Sequence, residues 1–75
     1  MSAYSDEAIK ITQKYLGPAS KTFLERQARS HMNGLDINNL QKEHLPELAK
    51  WVGISAGLLI DKSRAAELAS ILAKI

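Results

Sequence analysis

Seventy-five residues without a cysteine exclude a second core, a disulfide framework, a thiolate metal site and a cysteine nucleophile. Hydrophobic residues make up 45% and charged residues 24%, which excludes a disordered chain and marks a globular one. The formal net charge is only +2, with acids interspersed among the bases, so charge alone selects no partner class.

Apolar residues recur at spacings of three and four and never alternate, so the spacing predicts helices and no strand. A first helix is predicted over 6–16. Ser5 is its expected N-cap, and Asp6 and Glu7 suit the positive end of the helix dipole. Tyr4, Ala8, Ile11 and Tyr15 share its apolar face. Gly17 tolerates the left-handed conformation of a helix stop, and Pro18 opens the next helix, where its missing N–H is no loss.

The second helix is predicted over 18–32. Ala19, Phe23, Leu24 and Ala28 occupy one half of it, and Lys21, Glu25, Arg26 and Arg29 the other. Asn33-Gly34 is its stop. A connector over 35–42 follows, anchored by Leu35, Ile37 and Leu40.

Pro46 is tolerated only in a first helical turn, so a third helix must start near Glu43. Its core stripe contains Leu45, Leu48 and Val52, with Trp51 on the flank. The apolar period continues past Gly53 and Gly57, which predicts a helix over 43–60. Asp61 then caps a fourth helix over 62–74, whose apolar members include Ala65, Leu68, Leu72 and Ile75. The predicted fold is a single all-α domain over 1–75, a compact bundle of four helices.

Ala49, Gly53 and Gly57 fall on one line of the third helix, and Ala65, Ala69 and Ala73 on one line of the fourth. Glycine costs a helix about 1 kcal/mol relative to alanine, so two glycines on such a line imply a close approach of backbones. The same spacing assembles membrane helices, but only within about twenty apolar residues. Here the apolar run from Trp51 to Ile60 is closed by Lys50 and Asp61, so no membrane span is predicted. The opening MSAYSDEAIK carries early acids and no apolar segment, unlike a secretory signal. A cytoplasmic location is the expectation. Leu58, Leu59 and Ile60 are consecutive and point around more than one side of a helix, so one of them is expected to stay uncovered.

Chemistry-bearing patterns are sparse. His44 and Glu47 are three apart, but a carboxylate-bridged site needs that pair twice with further acids. No phosphate-binding glycine loop, nucleophile elbow or HExxH is present. The sequence therefore predicts no enzyme, and it calls for no metal or cofactor. Nucleic-acid binding is the alternative. Lys21, Arg26 and Arg29, with Lys10 and Lys14 on the preceding helix, would form its basic face, yet no helix start carries a run of base-reading side chains.

The stretch KYLGPASKTFLERQ, with Tyr15, Leu16, Gly17 and Pro18 followed by Ala19, resembles a small helical module of bacterial and archaeal signalling proteins. Its mark there is a Tyr-Leu-Gly-Pro-x-Ala motif that opens a helix, and HLPELAKWV is similar to a later part of the same pattern. The resemblance spans residues 9–74 and implies a regulatory accessory domain without catalysis. A weaker similarity, in the leucine rhythm of NGLDINNLQKEHLPELAKWVGI, is to sterile alpha motif domains. Both imply an interaction module. The expected function is therefore binding to a protein partner, with self-association as one form. Trp51, Leu58, Leu59 and Ile60 are the candidate interaction residues, with Phe23 as a further anchor.

Overall fold

The computed structural model describes residues 2–75, and all of its regular structure is helical. Helix α1 spans Ala3–Leu16, α2 Ser20–His31, α3 Leu45–Ala56 and α4 Lys62–Ala73. Single 3-10 turns cover Gly17–Ala19, Ile37–Asn39 and Lys42–His44. The all-α expectation is met, but the division into four separate helices is corrected. Helical backbone continues from α1 through the first 3-10 turn into α2, so the long helical stretches are three: 3–31, 42–56 and 62–73.

α1 begins three residues earlier than the spacing predicts. Two serines three apart can each cap, and Ser2 does so: its Oγ accepts from the Ser5 N–H at 3.0 Å. Ser5 then lies inside the helix, fully buried, and its hydroxyl donates to the Ser2 carbonyl at 2.9 Å. The Ser2 N–H donates in turn to the Asn38 carbonyl at 3.1 Å, which ties the start of α1 to the connector.

At Gly17 the chain turns with φ 67°, a conformation open to glycine and costly to other residues. Pro18 sits in the first turn that follows. Ser20 holds the last place of the Tyr-Leu-Gly-Pro-x-Ala pattern. It is buried and donates to the Gly17 carbonyl at 2.7 Å. α2 stops where expected, with Asn33 and Gly34 both at positive φ.

In the connector Ile37 and Leu40 are buried, as expected, and Leu35 packs at the edge of the core. Asp36 accepts from the Asn38 N–H at 2.9 Å and starts the short turn between them. His44 is occupied locally: its Nδ1 accepts from the Gln41 N–H at 2.9 Å, closing the start of the third helical stretch. Pro46 lies in the first turn of α3. Asp61 caps α4, accepting from the Arg64 N–H at 2.9 Å.

The core is assembled from Leu24, Ile37, Leu40, Leu45, Leu48, Val52, Leu68 and Leu72, all fully buried. Each such side chain contributes about 1.5–3 kcal/mol through removal from water. Every helix but α1 donates large aliphatics to it. α1 instead presents Ser5, Ala8 and Thr12 at its fully buried positions, with Tyr4, Ile9, Ile11 and Tyr15 half-buried around them.

α3 and α4 form an antiparallel hairpin, the tightest pairing in the fold. A Cβ built on Gly53 would lie 3.1 Å from the Ala69 Cβ, and one on Gly57 4.0 Å from the Ala65 Cβ. The two small-residue lines therefore face each other within the chain over these pairs, while Ala73 at the end of its line is exposed. Gly53 continues the helix rather than ending it.

α3 does not reach Ile60. It ends at Ala56, and residues 57–60 form a tight turn in which Leu58 N–H donates to Ser55 O, and Leu59 and Ile60 N–H both donate to Ala56 O. A straight continuation would carry the chain away from α4. The turn brings Asp61 to the start of α4 within five residues, and the apolar period at 57–60 does not register that requirement. Among the described residues, no helix is long and apolar enough to cross a membrane.

Candidate interaction surface

The α3–α4 turn places two leucines in solvent. Leu58 is 86% exposed and Leu59 66%, and Ile54, one turn back on α3, is 54% exposed. In a molecule whose core leucines are fully covered, these are the large apolar side chains left furthest from it. Leu58 and Leu59 are adjacent in the turn, and Ile54 and Leu58 line the same furrow, so the three form one patch rather than scattered single residues.

The other candidate anchors sit differently. Ile60 is half-buried and packs against the core, because the turn folds it back under α3. Phe23 is half-buried at the core edge. Trp51 is also half-buried, and its indole stacks on the imidazole of His31 with ring centroids 4.1 Å apart and planes 9° from parallel. Lys50 reaches over the same indole, its Nζ 5.0 Å from the ring centroid. The Trp51 Nε1–H is buried without an acceptor. Trp51 thus joins α2 to α3 and is largely occupied by that role; Ile60 and Phe23 are likewise taken up by packing.

Beside the exposed patch runs a furrow of about 460 Å³ between α3 and α4. Gly53, Ala66 and Ala69 line it, and carrying nothing larger than a methyl group they leave the space. Ile54 and Leu58 form one wall, and Lys50 and Lys62 also line the furrow. No acidic side chain lines it. Its trace in the sequence is that Lys50, Ile54 and Leu58 recur every fourth residue, next to Ala49, Gly53 and Gly57.

A second depression, of about 690 Å³, lies between α1 and α4, lined by Tyr4, Ile11, Ile71 and Ile75 and edged by Glu7 and Lys74. Ile71 is 39% exposed there.

Lys21, Arg26 and Arg29 are exposed on α2, as are Lys10 and Lys14 on α1. On α2 the three spread over about 140° of the helix, with Glu25 between them, so they do not concentrate into one stripe. Between α1 and α4, Tyr15 donates to Glu67 and Arg64 lies 5.1 Å over the Tyr15 ring. The hydrogen bond to Glu67 raises the Tyr15 hydroxyl above its ordinary value of 10.0, with burial and the Glu67 charge acting in the same direction and Arg64 against them. Ser55 donates to the Gln27 Oε1 at 2.8 Å, a polar link between α2 and α3. Among the described residues, no three His, Cys, Asp or Glu side chains converge as a metal site would require. No protein family, curated protein or solved structure matches the chain.

Proposed function

We propose that this protein is a non-catalytic interaction module, a compact all-helical domain that binds another protein through the apolar patch of Ile54, Leu58 and Leu59. The observation that carries the reading is the exposure of Leu58 and Leu59, side by side, on a turn whose backbone is hydrogen-bonded. Two exposed leucines contribute nothing to the core, and contiguous exposed apolar surface marks binding sites on folded proteins. A role as a regulatory accessory of cytoplasmic signalling proteins draws support from the resemblance at Tyr15–Ala19 and from the absence of cysteine. The spread of Lys21, Arg26 and Arg29 around α2 weighs against the nucleic-acid alternative.

Site-specific photo-crosslinking in the native cells tests the reading. A benzoylphenylalanine at position 58 or 59 is expected to give discrete protein adducts, and one at Ser30 on α2 none. Absence of adducts at 58 and 59, or the same adducts at all three positions, overturns it.

A further inference from the structure

The α3–α4 furrow has a shape and a charge, and together they describe an occupant. We infer that it takes an amphipathic helical segment of another protein, with an apolar stripe flanked by acidic residues. The inference rests on the interaction-module reading and adds the chemistry of the partner.

Shape comes first. The furrow runs between two antiparallel helices, lined by Gly53, Ala66 and Ala69, and its apolar wall carries Ile54 and Leu58. Ile54 stands on the last turn of α3 and Leu58 on the tight turn that follows it, so the wall extends from the helix into the turn. A furrow between two packed helices accepts the ridge of side chains that a third helix presents. A small-residue lining also lets the incoming backbone approach closely, with its own larger apolar residues filling the space.

Charge then selects among occupants of that shape. Lys62 and Lys50, whose Nζ also lies 5.0 Å from the Trp51 ring centroid, line the furrow, and no acid lines it to neutralise them. Asp61, beside Lys62 in sequence, is engaged in capping α4. A second copy placed by two-fold symmetry would bring the same lysines against each other, a like-charge pairing that disfavours self-association at this face. An anionic bilayer would also attract lysines, but it offers a flat surface to a concave site and would meet Asp61 at the tip of the same turn. Glutamates flanking the stripe of an incoming helix would meet both lysines.

The test uses two synthetic helical peptides of about 20 residues, long enough to span the furrow. Both carry leucines at i, i+3, i+4 and i+7; one flanks them with Glu and the other with Lys. Binding is followed by amide chemical shifts of the isotope-labelled protein. The Glu-flanked peptide is expected to bind about tenfold more tightly than the Lys-flanked one. Its shift changes should centre on Gly53, Gly57, Ala66 and Ala69. Lys50→Glu combined with Lys62→Glu should reverse the preference, and since both lysines are exposed, the helical circular dichroism should be unchanged.

Equal binding of the two peptides overturns the inference while leaving the crosslinking result standing. So do shift changes centred on the α1–α4 depression, or no saturation by either peptide at about 1 mM. Concentration-dependent shifts at the furrow without peptide would identify a second copy as the occupant. Binding to phosphatidylserine vesicles in place of the peptides would identify a lipid surface. Either result overturns the assignment of an acidic helix.

Discussion

Gly53 and Ala69 stand face to face across the α3–α4 contact, so close that a methyl on residue 53 would lie 3.1 Å from the Ala69 Cβ. That is tighter than ordinary van der Waals contact between carbons, and neither atom can rotate away. In an open helix Gly→Ala gains about 1 kcal/mol. Here that gain should be cancelled by crowding. Gly53→Ala is expected to leave the urea midpoint unchanged or slightly lowered, and Gly53→Val to lower stability by about 2 kcal/mol. In an Ala69→Gly background, Gly53→Ala should recover its propensity gain of about 1 kcal/mol. A double-mutant cycle without coupling would show that the two residues do not touch.

Leu58 should be dispensable for folding. Leu58→Asp is expected to change unfolding free energy by no more than about 0.5 kcal/mol, as for other exposed positions. Leu24→Ala or Leu68→Ala, at fully buried sites, should cost about 2–5 kcal/mol. A strongly destabilised Leu58→Asp would place that leucine in the core.

The Tyr15–Glu67 link predicts a loss of stability at alkaline pH. A neutral hydroxyl donates to Glu67, whereas a phenolate would face the carboxylate as a like charge. Because the folded value is raised, the contribution is fully present below the ordinary value of 10.0 and is lost as pH rises through the folded one. Tyr15→Phe should remove this alkaline arm and leave the pH dependence near neutrality unchanged. The ultraviolet phenolate titration checks it: one tyrosine should titrate late in the parent protein, and that late component should vanish in Tyr15→Phe.

His31 and Trp51 stack in near-parallel contact, and aromatic pairs of this kind contribute about 0.5–1.5 kcal/mol beyond area burial. His31→Ala should therefore cost about that much and shift the Trp51 emission to longer wavelength as water reaches the indole. His31→Phe should retain most of the stability. An unchanged emission maximum in His31→Ala would mean that the stack does not shield the indole.

Asp61→Ala should cost about 1 kcal/mol through loss of the bond to the Arg64 N–H, and Asp61→Asn much less. Thermal unfolding of the two variants separates capping from charge.

Local chemistry with one solution was readable in the sequence. Gly17-Pro18, Asn33-Gly34, Pro46 and Asp61 each act through their own backbone or the next three residues, and each sits where its chemistry demands. Ser2 and Ser5 offered two solutions to the same cap. The choice fell to Ser2, whose N–H is also tied to Asn38, a partner far along the chain. The end of α3 escapes the apolar period for a related reason. Gly57, Leu58, Leu59 and Ile60 continue a helical period, but the return of α4 onto Gly53 requires the chain to reverse there. Uncovered side chains follow from that reversal. Adjacency predicts that one of Leu58, Leu59 and Ile60 stays uncovered; the reversal uncovers Leu58 and Leu59, while Trp51 and Ile60 are taken up by neighbours that only the fold supplies. The furrow needed both helices in place before its lining existed.

The turn at 57–60 also separates two kinds of selection. Its backbone bonds are made by N–H and carbonyl groups that any non-proline residue carries, so folding places almost no demand on the side chains at 58 and 59. Under selection for folding alone, these two sites would drift freely to polar residues. A library randomised at 58 and 59, and sorted once for expression and once for activity in the cell, would therefore record two different alphabets. The distance between them measures how much of this small protein is kept for something other than its own stability.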